Sequence, residues 1–125
     1  MTDPTPDPAE DCRLTLHVLD VAAGRPAAGV AVALTALTAT GEAALGSATT
    51  DADGRSSGPA ADWSGLPAGT YELRVDLGAH FRSTTADGAT FYDVVPVRFV
   101  IGPADRHVHV ALLASPWSYT TYRGS

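Results

Sequence analysis

The sequence predicts an all-β domain, an antiparallel β-sandwich of seven to eight short strands with one short helix. Three observations predict it. Apolar and polar residues alternate with period two through most of the chain. Turn residues (Gly, Pro, Asp) interrupt these runs at short intervals. No segment sustains the 3.6-residue period of a long amphipathic helix, and there is no βαβ unit or Gly-rich phosphate loop.

Each element follows in order. In residues 14–20, Leu14, Leu16 and Val18 share one face of a strand, and Thr15, His17 and Leu19 share the other. Residues 24–29 carry Pro26 between two glycines and read as a turn. Residues 30–37 form a second strand, with Val30, Val32 and Leu34 on one side, and residues 45–50 a weaker third. Asp51-Ala52-Asp53-Gly54 is a tight turn that Arg55 follows directly. Residues 56–69 read as a loop pinned by Trp63 and Leu66. In residues 70–76, Tyr71, Leu73 and Val75 face in while Glu72, Arg74 and Asp76 face out. Residues 78–86 are the one place for a short helix. Residues 94–101 align Val95, Val97, Phe99 and Ile101, and Pro96 requires an edge position or a strand start. Residues 107–113 and 118–122 are the last strands, punctuated by Pro116.

A chain of 125 residues suits one domain, and a hydrophobic content of 45% suffices for one core. The net charge of −6 argues against nucleic acid or an anionic membrane as the main partner, because both need a basic surface. Every apolar run is too short for a membrane-spanning helix. Residues 1–12 read as a disordered acidic, Pro-rich leader without the basic and apolar regions of a secretory signal, and residues 13–125 as the domain. The single cysteine, Cys12, excludes an intramolecular disulfide framework, and the cytoplasm is the expected compartment.

Few groups on this scaffold can do chemistry. His17 sits mid-strand, where it serves either as a backbone-bonded histidine or as a general base or ligand. His107-Val108-His109 projects two imidazoles from one strand face, which suits a proton-transfer pair, a zinc site or two solvated histidines. Zinc needs a third ligand, and no Asp or Glu stands at close spacing on this strand. Arg55 offers a planar fork of donors for an anion or carbonyl. Tyr122-Arg123-Gly124-Ser125 lies at the end of an aromatic-bearing strand; if packed, it would hold two hydroxyls and a carboxylate in place. His80 and Cys12 read as structural or incidental.

These residues resemble a family. Leu14-Thr15-Leu16-His17-Val18-Leu19-Asp20 with residues 24–30, then Thr50-Asp51-Ala52-Asp53-Gly54-Arg55, then His107-Val108-His109 with Tyr122-Arg123-Gly124-Ser125, are similar to the three signatures of 5-hydroxyisourate hydrolases. That is the transthyretin-like family, and the resemblance covers residues 14–125. It implies hydrolysis of 5-hydroxyisourate by opening a lactam ring in urate degradation, with no metal or organic cofactor. It also implies a homotetramer with active sites at the dimer–dimer interface. Carried over, the catalytic residues are His17, Arg55 and His109, and the substrate-binding residues are His17, Arg55, Tyr122 and Ser125. His109, paired with His17, would activate water; Arg55 would hold the developing negative charge. Leu16, Val108 and Ala111 depart from the family pattern, which expects threonine, an aromatic residue and proline.

Three other readings compete. A transthyretin-type carrier of a small aromatic ligand should lack the channel histidines and the terminal tetrapeptide. A structural β-sandwich module predicts no histidine cluster. A zinc hydrolase would use His17, His107 and His109. For assembly, Ala111, Leu113 and Tyr119 are the interface candidates.

Overall fold

Alternation in the sequence becomes strand in space almost throughout. A computed structural model describes residues 11–56 and 63–124. Its elements are β1 (Cys12–Asp20), β2 (Arg25–Pro26), β3 (Ala31–Thr38), β4 (Gly41–Thr49), β5 (Trp63–Leu66), β6 (Gly69–Asp76), α1 (Leu77–Thr84), β7 (Val94–Ile101), β8 (His107–Ala114) and β9 (Tyr119–Gly124). One sheet runs β2-β1-β8-β9, with β5 also on β1; the other runs β4-β3-β6-β7. The sandwich is as expected, but β1 and β8 run parallel. These strands lie far apart in sequence, so no tight turn forces them to be antiparallel.

The core lies between the sheets. Leu14, Leu16 and Val18 of β1 meet Val32 and Leu34 of β3, Leu73 and Val75 of β6, and Leu112 of β8, all nearly solvent-free. Each such side chain contributes about 1.5–3 kcal/mol by leaving water. β7 is an edge strand, as Pro96 requires.

Several boundaries move. β1 starts at Cys12, which is buried rather than part of a leader. Burial pushes its thiol pKa up, consistent with an unreactive side chain. β4 is longer than expected because it pairs along the whole of β3, although nearly all its residues are exposed. β5 forms where a loop was expected, by pairing with the start of β1. The helix begins one residue early, capped by Asp76, whose carboxylate accepts from the Ala79 amide at 3.1 Å. Glu72 points outward yet is buried, because Arg74 and Arg98 fold over it at 2.9 and 3.4 Å. Residues 1–10 of the disordered leader expected for 1–12, residues 57–62 of the loop expected for 56–69, and Ser125 lie outside the described residues.

His80 is structural, as its sequence context suggested. Its Nε2 lies 2.9 Å from Asp20 Oδ2, with both side chains buried, and Asp20 Oδ1 accepts from the Ala23 amide at 2.9 Å. One carboxylate thus ties α1 to the end of β1. Asp20→Ala leaves these donors unpaired and should cost about 3 kcal/mol, read as a lower urea midpoint. An unchanged midpoint would disprove the tie.

Candidate active site

The outer face of the β2-β1-β8-β9 sheet collects the polar chemistry. Alternation turns Thr15 and His17 of β1, and His107 and His109 of β8, away from the core. The parallel register sets Thr15 beside His109 and His17 beside Ala111. The β8–β9 register then sets Gly124 beside His109 and Tyr122 beside Ala111. The face therefore carries two rows, Thr15–His109–Gly124 and His17–Ala111–Tyr122.

Arg55 joins the second row from the far side. β1 has a free edge between β5 and β2, and the turn after β4 docks there, bridging His17 to Arg55. The turn is held by Asp51, whose Oδ1 accepts from the amides of Asp53 and Arg55 at 2.9 and 3.1 Å. Gly54 has φ +76°, and its carbonyl accepts from Val18 N–H at 2.8 Å. A Cβ there would collide with the Val18 carbonyl, so only glycine lets the turn come this close. His17 seals the contact: its Nε2 lies 2.7 Å from the Asp53 carbonyl. A carbonyl only accepts, so Nε2 carries the proton there.

The two histidines of β8 share one partner. Thr15 Oγ1 lies 2.7 Å from His107 Nε2 and 2.7 Å from His109 Nδ1. His109 is half-buried, and its pKa is lowered below the ordinary 6.5, first by burial and then by the charges of Arg55, His107 and His17. On its other side, a Cβ on Gly124 would stand 2.5 Å from His109 Cδ2. The ring is thus confined between Thr15 and a residue that must lack a side chain. A cavity of about 400 Å³ opens here, lined by Arg13, Thr15, Arg55, Ser56, His107 and His109.

Of the residues expected from sequence, the fold brings His109 and Arg55 to one cavity, with His17 on the next strand. His17 and His109 are not bonded to each other; each ring has its own partner. Tyr122 is on the same face but two strands from His17, roughly 10 Å away at strand spacing, and exposed. Thr15 and Gly124 were missed as individual contributors. Among the described residues no group of His, Cys, Asp or Glu is arranged around a common metal position; one nitrogen each of His17, His107 and His109 is held by Asp53 O or Thr15 Oγ1. Of the interface candidates, Ala111 and Leu113 share the outer face, but Ala111 is already buried within the protomer. Tyr119 pairs with core-facing Ala114 and packs on Tyr92, so it belongs to the opposite side.

Known proteins bear on this arrangement. The family model described as "HIUase/Transthyretin family" matches residues 14–124. A 5-hydroxyisourate hydrolase of Deinococcus radiodurans is 44% identical over 113 residues, 90% of this chain and 95% of that protein. The solved 5-hydroxyisourate hydrolase of Klebsiella pneumoniae superposes with a TM-score of 0.76 at 35% identity, covering 91% of this chain and 99% of that one. Sea bream transthyretin in complex with thyroxine superposes with a TM-score of 0.80 at 33% identity, covering 90% and 95%.

Proposed function

This chain belongs to the HIUase/Transthyretin family, and from that premise we propose that it hydrolyses 5-hydroxyisourate to 2-oxo-4-hydroxy-4-carboxy-5-ureidoimidazoline in urate degradation. The observation that carries the reading is the polar cavity in which a neutral-leaning imidazole, His109, stands with the Arg55 guanidinium. A lactam hydrolase needs both: a base for the attacking water and a cation for the oxyanion.

The chemistry runs as follows. His109 Nε2 takes a proton from water as the water oxygen bonds to the lactam carbonyl carbon. Arg55 holds the resulting oxyanion. The carbon–nitrogen bond then breaks, and His109 returns its proton to the leaving ring nitrogen. His17, with Nε2 committed to Asp53, presents Nδ1 as an acceptor for substrate or water. Tyr122 closes the pocket with its hydroxyl toward substrate, and Ser125 assists from the chain end. No metal or organic cofactor takes part.

A single protomer leaves Arg55, His107 and Tyr122 open to solvent, whereas such chemistry gains from excluding water. β7 and β9 are also unpaired edges, with Val94 and Val100 exposed on β7. Both features support a homotetramer with active sites at the dimer–dimer interface; a monomer mass by light scattering would count against it. The unpaired Cys12 suits the cytoplasm. The thyroxine complex of the sea bream protein makes a ligand carrier the second reading, but a carrier has no need of the Thr15–His109 arrangement or its cavity.

The test couples urate oxidase to this protein and follows decay of 5-hydroxyisourate by absorbance; no acceleration over the spontaneous rate would sink the proposal. The pH profile is a second check. The base works when neutral, and its pKa is lowered, so kcat/KM should hold as pH falls through 6.5 and drop only below it. A fall centred above 6.5 would exclude His109 as the base. The same shift makes the unfolded chain bind the proton more readily, so this histidine subtracts stability as pH falls from 6.5 through its folded pKa.

A further inference from the structure

We propose that Thr15 and His107 are positioning residues that fix His109 as the Nδ1–H tautomer and so present its basic Nε2 to the substrate. This rests on the hydrolase reading above. The geometry behind it is the shared hydroxyl: Thr15 Oγ1 stands 2.7 Å from His107 Nε2 and 2.7 Å from His109 Nδ1.

A threonine hydroxyl has one hydrogen and two lone pairs. If it gives the hydrogen to His107 Nε2, it can only accept from His109, and Nδ1 must carry a proton. If it accepts from both rings, Nδ1 again carries one. Only donation to His109 would leave Nε2 protonated and useless as a base. His107 excludes that arrangement as its Nδ1–H tautomer, in which Nε2 takes the hydroxyl hydrogen and the solvent-exposed ring can give its Nδ1–H to water. A neutral imidazole in water otherwise prefers the Nε2–H form, so the bias has to be imposed by neighbours. Gly124 completes the confinement, because its bare Cα leaves the ring the space that a side chain would fill.

The bond also suits the reaction. Nδ1–H donates to Thr15 whether His109 is neutral or protonated, so nothing needs to reorganise when Nε2 gains its proton. This is the logic of a base oriented by a third group, with a hydroxyl and an exposed imidazole in place of a carboxylate. Because the orienting group is neutral, its loss should cost less than removing the base itself.

Long-range ¹H–¹⁵N NMR of the imidazoles, with steady-state kinetics, tests this. The wild type should show a protonated Nδ1 and an unprotonated Nε2 on His109. Thr15→Val keeps the shape and β propensity but removes the hydroxyl; it should shift His109 toward Nε2–H and lower kcat about 10–100-fold with KM changed less than about threefold. Thr15→Ser should recover most of the loss, and His107→Phe should fall between. An Nε2–H tautomer in the wild type, or a Thr15→Val protein with unaltered spectrum and kcat, would overturn the proposal. An inactive wild type with Nδ1 protonated would instead sink the hydrolase reading while upholding the tautomer.

Discussion

His109→Asn should lower kcat by about 10²–10⁴-fold while the protein stays folded, because one positioned imidazole base is worth that much. The substitution isolates chemistry from structure. His109 is half-buried on the outer face of the sheet, not in the core, and an Asn amide can still donate to Thr15 Oγ1. Circular dichroism and the urea midpoint should therefore match the wild type. The loss should appear in kcat, since the base acts on water in the transition state and holds little of the bound substrate. A variant within threefold of the wild type would move the base elsewhere, first to His17, whose bond from Nε2 to the Asp53 carbonyl leaves Nδ1 as its acceptor nitrogen.

Arg55→Ala should cost about 10²–10³-fold in kcat, the usual loss when one oxyanion donor is removed. Here too the fold should survive. The turn is anchored by the backbone amide of Arg55 on Asp51 and by Gly54 on Val18, so the guanidinium is dispensable to it. A second effect distinguishes this variant. Arg55 is one of the charges that hold the His109 pKa down, so its removal should shift the acid limb of the pH profile upward. Arg55→Lys should restore that limb more fully than it restores kcat, since it keeps the charge and loses the planar fork. Equal rates for Arg55→Ala and wild type would leave the oxyanion without its proposed partner.

Much of this was legible in the sequence because period two is a direct readout of faces. Leu14, Leu16 and Val18 against Thr15, His17 and Leu19 gave both the core and the site side of β1. The motifs around His17, Arg55 and His109 carried the family resemblance. β4 was less legible because its Gly, Ala and Ser residues are exposed on both faces, so pairing with β3 rather than alternation makes it a strand. β5 has four residues and one short pairing, too little for a pattern. The burial of Glu72 depends on Arg98 from the neighbouring strand, which no local window contains. Thr15 was hidden for the same reason. Threonine is an ordinary strand former, and only the parallel register with β8 puts its hydroxyl between two histidines.

That parallel pairing also dictates when the site can exist. The bonds from Thr15 close loops of 92 and 94 residues, nearly the whole chain. The β4-β3-β6-β7 sheet, by contrast, can assemble from nearer neighbours, beginning with the β3–β4 hairpin. Long loop closures are slow to form, so the pocket should be completed after the nearer pairings. During synthesis β1 emerges before β8 and must wait for it, its edge unpaired until then. Hydrolytic activity on refolding should then follow the slowest phase, and its appearance reports that β1 and β8 have found each other.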